Sequence, residues 1–551
     1  MERSNAERLT ALTALTAYGS VIGSDESSAN GTLVWRGVPY ARPPIGDLRW
    51  RAPLPPEPWQ QPRNAQQFAN PSVQTGRMYG PGRNNRHDRS IGEMLGKVSG
   101  SEDSLTLNIW APAAANDSLP VIVFIHGGSN ITGYTADPLY DGAALAVAAN
   151  AVVVTVNYRL GIFGFLNLPQ VKTGTDAASD SGNFALLDIL AALRFVQHNI
   201  ANFGGDPGKV TLMGQSAGAV NIWALLTSPL LIDANPALIH RVMPISGGLA
   251  MAADLPPGRV PVLHPAEVHE AQGRALLEHA LIAADEASAP ADIAAWLRAL
   301  SAESLLTTVF ERLSPLGLAG SGPIPDGVVV PRAPMAAIHA GRYLKVPVLA
   351  GFTREEGKLF AGALATSPLL GGQSGRLLSD AQVFAFQFEY DADAPAPTTR
   401  IEDWIPPSLL PVTKPGTGFN ARIAQLDQLL FLPNRDVLMN ALRAQQDEVW
   451  FYQFDWDEEP PPFNDIYGAA HGFDVPFLFG NFGPSMFSTV MNTRSNQSGR
   501  LALSQAMMKS VAAFAWHGNP GHAGLGMQWP HWPALLHFDA SPTETTLSVS
   551  T

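Results

Sequence analysis

Lys209-Val-Thr-Leu-Met-Gly-Gln-Ser-Ala-Gly-Ala-Val220 reads as a short apolar strand, a sharp turn carrying Ser216, and an apolar segment fit for a helix. The turn has the G-x-S-x-G form, in which a serine is held on a strained strand-to-helix corner. A side chain at Gly214 or Gly218 would collide with the neighbouring turn of backbone. Their smallness lets Ser216 take a conformation that a freer chain avoids. In a chain with 50 glycines a five-residue pattern can arise by chance, so its meaning rests on what surrounds it.

Outward from that turn the sequence alternates. Leu105 to Trp110, Val121 to Ile125, Val152 to Val156, Ile239 to Ile245, Val346 to Gly351 and Val449 to Phe454 read as buried strands. Asp141 to Ala149, Asn183 to Asn199 and the segment from Ser216 to about Leu226 read as helices. Unbroken β-branched runs separated by helices predict an α/β fold with a mainly parallel sheet covered on both faces. Residues 33–51 open as a strand and pass into a proline-rich turn, and 53–62 read as extended surface chain. Residues 76–101 form a polar, glycine-rich stretch holding Arg77, Arg83, Arg86, His87 and Arg89 ahead of Lys97. It reads as a solvated flexible loop, with a rim or lid over a site as the alternative. Ala266 to Leu313 looks helical, and 314–334 and 405–418 look like loops.

The chain has 551 residues, 46% of them hydrophobic, enough for a large core. Length alone suggests several domains. No internal repeat or long linker divides it, however, so the expectation is one elaborated sheet domain over 13–540, after a flexible N-terminus at 1–12 and before a C-terminal tail at 541–551. A net charge of −13 argues against a nucleic-acid partner. There is no cysteine, which excludes disulfides and thiolate chemistry and suits a reducing compartment. A cytoplasmic protein is expected, with secretion by a weak, threonine-rich signal over Met1 to Gly19 as the alternative. No uninterrupted apolar run is long enough to span a bilayer, so no membrane anchor is expected.

A serine hydroxyl is a poor nucleophile until a base removes its proton, so Ser216 needs a histidine held by a carboxylate. In α/β-hydrolases these follow in the order serine, acid, histidine, each just beyond a strand. Val346 to Thr353 leads into Arg354-Glu355-Glu356-Gly357, so Glu356 or Glu355 can serve as the acid, and Asp326 stands in a turn before that strand. Among thirteen histidines, His471 lies in the loop after Val449 to Phe454 and is flanked by small residues. Donors for the negative oxygen of a tetrahedral intermediate are expected from the N–H of Ala217 and from the loop Ile125-His-Gly-Gly-Ser-Asn130. Gly204 to Val210 imitates a phosphate loop but has Phe203 and Val210 where glycine and Ser/Thr are required. No H-E-x-x-H or comparable spacing supports a metal site.

These residues resemble the type-B carboxylesterase family, the group that includes cholinesterases and bacterial p-nitrobenzyl-type esterases. The resemblance runs from about Tyr18 to about Pro533. It is carried by Arg36 to Arg49, Glu102 to Trp110, Asn157-Tyr-Arg-Leu-Gly-Ile-Phe-Gly-Phe165, Asn202-Phe-Gly-Gly-Asp-Pro207 and Gly468-Ala-Ala-His-Gly-Phe-Asp474. It implies an α/β-hydrolase fold, a central mostly parallel sheet flanked by helices with inserted helical layers. It implies Ser216 as nucleophile, Glu356 as acid, His471 as base, and Gly128, Ser129 and Ala217 as oxyanion donors, without cofactor or metal. Glu356 is favoured over Glu355 because the family's acid precedes a glycine, here Gly357, and Asp326 becomes a structural turn residue. Scaffold ion pairs would join Arg49 to Glu102 and Arg159 to Asp188.

The sequence departs from the family at several places. The usual glutamate before the nucleophile is Gln215, the third glycine of the oxyanion loop is Ser129, and Asn130 replaces an aromatic. The positions of the usual early-loop cysteines correspond to Ser72 and Ser104, which leaves that loop unstapled. The tryptophan that cholinesterases use for a cationic head group is missing. The expected activity is hydrolysis of small to medium uncharged carboxylic esters through an acyl-enzyme. An amide, carbamate or lactone hydrolase using the same residues, and a non-catalytic cholinesterase-like binding module, are the alternatives.

Overall fold

Residues 12–114, 118–283, 292–360, 377–394, 399–485 and 488–551 are described by the computed structural model of the chain. The flexible segment expected at 1–12 lies, apart from Leu12, outside them.

The apolar runs become the middle of an 11-stranded sheet. In chain order its strands are β1 (Ser24–Glu26), β2 (Thr32–Pro39), β3 (Thr106–Pro112), β4 (Leu119–Ile125), β5 (Val152–Val156), β6 (Gly205–Gln215), β7 (Arg241–Ile245), β8 (Val348–Thr353), β9 (Val449–Phe454), β10 (Leu535–Ala540) and β11 (Thr545–Ser550). Their spatial order is β11-β10-β9-β8-β7-β6-β4-β5-β3-β2-β1. Pairing is parallel from β5 through β10 and antiparallel at both margins. Every residue of β4, β5 and β8 is buried, because helices cover both faces.

The helices that matter here are α1 (Phe184–Asn199), α2 (Ala217–Leu226), α3 (Ala266–Ala283), α4 (Asp380–Glu389) and α5 (Phe431–Arg443). Together with a 3-10 turn, α1 forms one helical stretch, Phe184–Phe203, that is long and apolar enough to cross a membrane. Most of it is buried inside the protein, and Arg159 donates to Asp188 on it through Nε at 2.7 Å and Nη2 at 2.6 Å. Arg49 meets Glu102 by the same two-pronged geometry, at 2.7 and 2.5 Å. Both scaffold pairs implied by the resemblance are thus brought together.

Two expectations change. Residues 541–551 are not a tail: Thr545–Ser550 completes the sheet edge, six residues in antiparallel register with Leu535–Ala540. Its polar alternation hid it, since an edge strand needs no apolar outer face. The stretch 76–101 is not a bare loop either. It carries a helical turn at Ser90–Met94 and a two-residue strand, and it leans on α4 through Arg89 with Glu389 and His87 stacked on Phe388. Ser72 and Ser104, where the family has cysteines, share a hydrogen bond at 2.9 Å, and Ser72 also donates to the Tyr158 carbonyl at 2.7 Å.

Candidate active site

Ser216 sits where β6 stops and α2 starts, at φ 56 and ψ −123. A non-glycine residue held at positive φ is strained, and such strain gathers at functional sites. The corner is held by Ser216 N–H donating to the Ile245 carbonyl of β7 at 2.8 Å. A Cβ on Gly218 would stand 2.1 Å from the Ile125 carbonyl oxygen, and one on Gly214 3.0 Å from the Gly218 carbonyl. Gly218 is therefore required by backbone approach, and Gly214 is closely confined by the same helix start, in line with the sequence reading.

Of the three acids considered, only Glu356 reaches His471. It opens the turn after β8, and its Oε1 accepts from Ser246 Oγ at 2.6 Å and from Thr353 N–H at 2.9 Å. Its Oε2 accepts from His471 Nδ1. Glu355 turns away to Lys358, at 2.9 Å. Asp326 is committed to the backbone N–H groups of Val328, Val329 and Val330 and to Asn183 Nδ2. His471 is buried between the rings of Phe360 and Phe431, with centroids 5.1 and 5.9 Å away.

Gln215 has a contact that the sequence did not disclose. With Nδ1 donating to Glu356, His471 Nε2 carries a lone pair, and that lone pair accepts from Gln215 Nε2 at 3.1 Å. Glycines seat this amide. A Cβ on Gly127 would stand 2.7 Å from its Oε1, and one on Gly472 3.3 Å from its Nε2. The glutamate usual in the family could only accept, so the amide is what allows this bond. Among the described residues Ser216 Oγ makes no hydrogen bond, so Gln215 holds the imidazole where the serine proton must go.

The loop after β4 runs against the nucleophile: a Cβ on Gly127 would lie 2.9 Å from that of Ser216. Gly128 has φ 102 and Ser129 φ 56, and among the described residues neither N–H donates a hydrogen bond. Ala217 is the first residue of α2, where N–H groups have no partner within the helix. All three sequence-predicted donors therefore have a free N–H near Ser216. Asn130, also at positive φ, pairs with Asn221 of α2, each amide donating to the other at 2.9 and 3.3 Å. This pair, Ser246 and the Gln215 contact were not foreseen, because each joins residues far apart in sequence.

A cavity of about 270 Å³ opens at Ser216 and His471, walled by Val220, Phe352, Phe360, Leu430, Phe431 and Pro323. Among the described residues no charged side chain lines it. None of residues 76–101 lines it either, so the stretch read as a rim or solvated loop lies elsewhere. Behind the imidazole are two further acids. Burial, reinforced by the Glu356 charge, pushes Asp427 up to about 8, while it accepts from Gly357 N–H at 2.9 Å. Burial pushes Asp474 up to about 7 against the hydrogen bond that Tyr452 donates at 2.8 Å. Among the described residues no group of three or more His, Asp or Glu side chains is placed to hold a metal ion.

Residues 10–549 match the model of the carboxylesterase family. The chain is 32% identical to the para-nitrobenzyl esterase of Bacillus subtilis (strain 168), over 94% of this chain and 91% of that protein. It is also 32% identical to the fumonisin B1 esterase of Sphingopyxis macrogoltabida, over 92% of this chain and 83% of that one. Among solved structures, a carboxylesterase of Geobacillus stearothermophilus superposes with a TM-score of 0.71 at 29% identity, covering 98% of each chain.

Proposed function

The chain belongs to the carboxylesterase family and hydrolyses carboxylic esters, and on that premise we propose that Ser216, His471 and Glu356 carry the reaction. The observation that supports this is one arrangement: a strained serine at a helix N-terminus, unpaired N–H donors beside it, and an imidazole backed by a buried carboxylate across one cavity.

His471 Nε2 exchanges the Gln215 amide for the Ser216 hydroxyl when substrate enters, and takes its proton as Oγ bonds to the ester carbonyl carbon. The carbonyl electron pair moves onto oxygen, which accepts from the N–H groups of Gly128, Ser129 and Ala217. Losing one such donor costs roughly 3–4 kcal/mol of transition-state stabilisation. The imidazolium, held by Glu356, gives its proton to the leaving alcohol as the C–O bond breaks. Water then attacks the acyl-enzyme by the same route and releases the acid. The uncharged lining of the cavity suits uncharged esters of small to medium size.

The deciding experiment is turnover of p-nitrophenyl acetate by Ser216→Ala, with a fluorophosphonate probe mapped by peptide mass. Loss of turnover and labelling at Ser216 in the wild type are expected. Labelling at Ser246, which is spent on Glu356, would overturn the scheme.

A further inference from the structure

Beside the Ser216 cavity lies a second one of about 370 Å³, and the two share Ser129, Val262, Ser321, Gly322 and Pro323. Of the run Gly317-Leu-Ala-Gly-Ser-Gly-Pro323, Ser321, Gly322 and Pro323 line both cavities, and Gly317, Ala319 and Gly320 line the second. Small residues, Ser129, Ser321 and Gly322, make up most of the boundary that the two spaces share. At Gly320 even a Cβ would come within 3.2 Å of Gln272 Nε2 on α3.

The second cavity has polar equipment that the mechanism does not use. His269 of α3 lines it with only 8% of its surface exposed, and it makes no hydrogen bond among the described residues. Gln272, one helical turn on, lines the same wall and is equally without a partner among the described residues. Burial, helped by the nearby His264, lowers His269 to about 4. At neutral pH its ring is therefore uncharged, with one N–H to give and one lone pair to fill. Buried polar groups in native proteins are normally satisfied, so an imidazole left open toward a cavity points to a ligand.

Resting on the catalytic reading above, we infer that this cavity is the acyl-arm subsite, taking ester acyl groups that bear an uncharged hydrogen-bonding group, a hydroxyl or an amide. The direction follows from the chemistry. The leaving alcohol must face His471 Nε2, which protonates it, and neither His471 nor Phe360 nor Phe431 lines the second cavity. The cavity meets the Ser216 space at Ser129, an oxyanion donor, and the acyl portion, whose carbonyl oxygen sits there, extends into it. A hydroxyl or amide can both accept from and donate to a neutral imidazole. A plain alkyl end would leave His269 unsatisfied, and a carboxylate brings no donor.

The test is kcat/KM for p-nitrophenyl octanoate and p-nitrophenyl ω-hydroxyoctanoate, with p-nitrophenyl acetate as reference, in wild type, His269→Leu, Gln272→Leu and Gly320→Phe. Wild type should prefer the hydroxylated ester by about tenfold, one good hydrogen bond's worth. His269→Leu should bring that ratio to about one, Gln272→Leu should lower it, and Gly320→Phe should depress both long esters relative to acetate. Because each ratio is read within one variant, a smaller folded fraction cancels. Equal rates for the two octanoates in wild type, or an unchanged ratio in His269→Leu, would overturn the subsite. If instead acetate is not turned over by wild type, the catalytic reading fails first.

Discussion

Among the described residues, two groups set a carboxylate, an imidazole and a serine side by side. At the sheet edge, His537 Nδ1 lies 2.7 Å from Asp455 Oδ2 and its Nε2 2.6 Å from Ser550 Oγ. At the cavity, His471 is backed by Glu356 but its Nε2 is taken by Gln215, and among the described residues Ser216 Oγ makes no hydrogen bond. Judged by hydrogen bonds alone, the edge group is the more complete triad. Yet Ser550 is an exposed residue in regular antiparallel register with Leu535, and its backbone is not at positive φ. Ser216 has the positive φ, the helix N-terminus, the free N–H groups and the cavity. The comparison teaches that a proton relay is only one part of such a site. Charge stabilisation and a place for the substrate come from backbone and packing.

The largest effects test that contrast directly. Ser216→Ala should lower kcat for p-nitrophenyl acetate by about 10⁴-fold or more, whereas Ser550→Ala should leave it within about twofold; comparable losses would erase the distinction. Glu356→Gln should cost about 10³–10⁴-fold in kcat, while Asp455→Asn leaves kcat alone and Asp326→Asn lowers Tm through its lost turn. Next is Gln215→Glu. An anion beside the imidazole favours its cation, so the acid limb of kcat/KM should move up by about one pH unit. A profile that stays in place would show that Gln215 does not touch the working histidine.

The smallest effect is on stability. Asp427 has an ordinary value of 3.8 and is pushed up to about 8 in the folded chain. Between those values the folded state holds a proton that the unfolded state has lost, so stability falls as pH rises across that window. Asp427→Asn, which keeps an oxygen for Gly357 N–H, should raise Tm at pH 9 relative to wild type and leave it unchanged at pH 4. Paired melting curves at the two pH values check this.

How much of this was legible is clearest residue by residue. Ser216, Glu356 and His471 each follow a buried strand, and apolar strands declare themselves by composition, so their places beyond the carboxyl ends of those strands could be read. The edge strand Thr545–Ser550 could not, because four of its six residues are exposed and its pairing carries no apolar signature. The bonds from Gln215 to His471, Ser246 to Glu356 and Asn130 to Asn221 were equally hidden. Gln215 could be seen to be unusual, but not whose lone pair it would occupy.

By itself the sequence determined the local geometry: the alternation of strands and helices, and a tight corner at Ser216 that depends on Gly218 and is eased by Gly214. Those are short-range sterics, which neighbouring residues settle among themselves. The tertiary structure alone decided which of Glu355, Glu356 and Asp326 meets the imidazole, which polar groups are left unpaired, and that Ser321 to Pro323 line two adjoining cavities. The reason is that hydrogen bonds of a few ångströms between residues a hundred positions apart exist only once the sheet has fixed the distance between its loops.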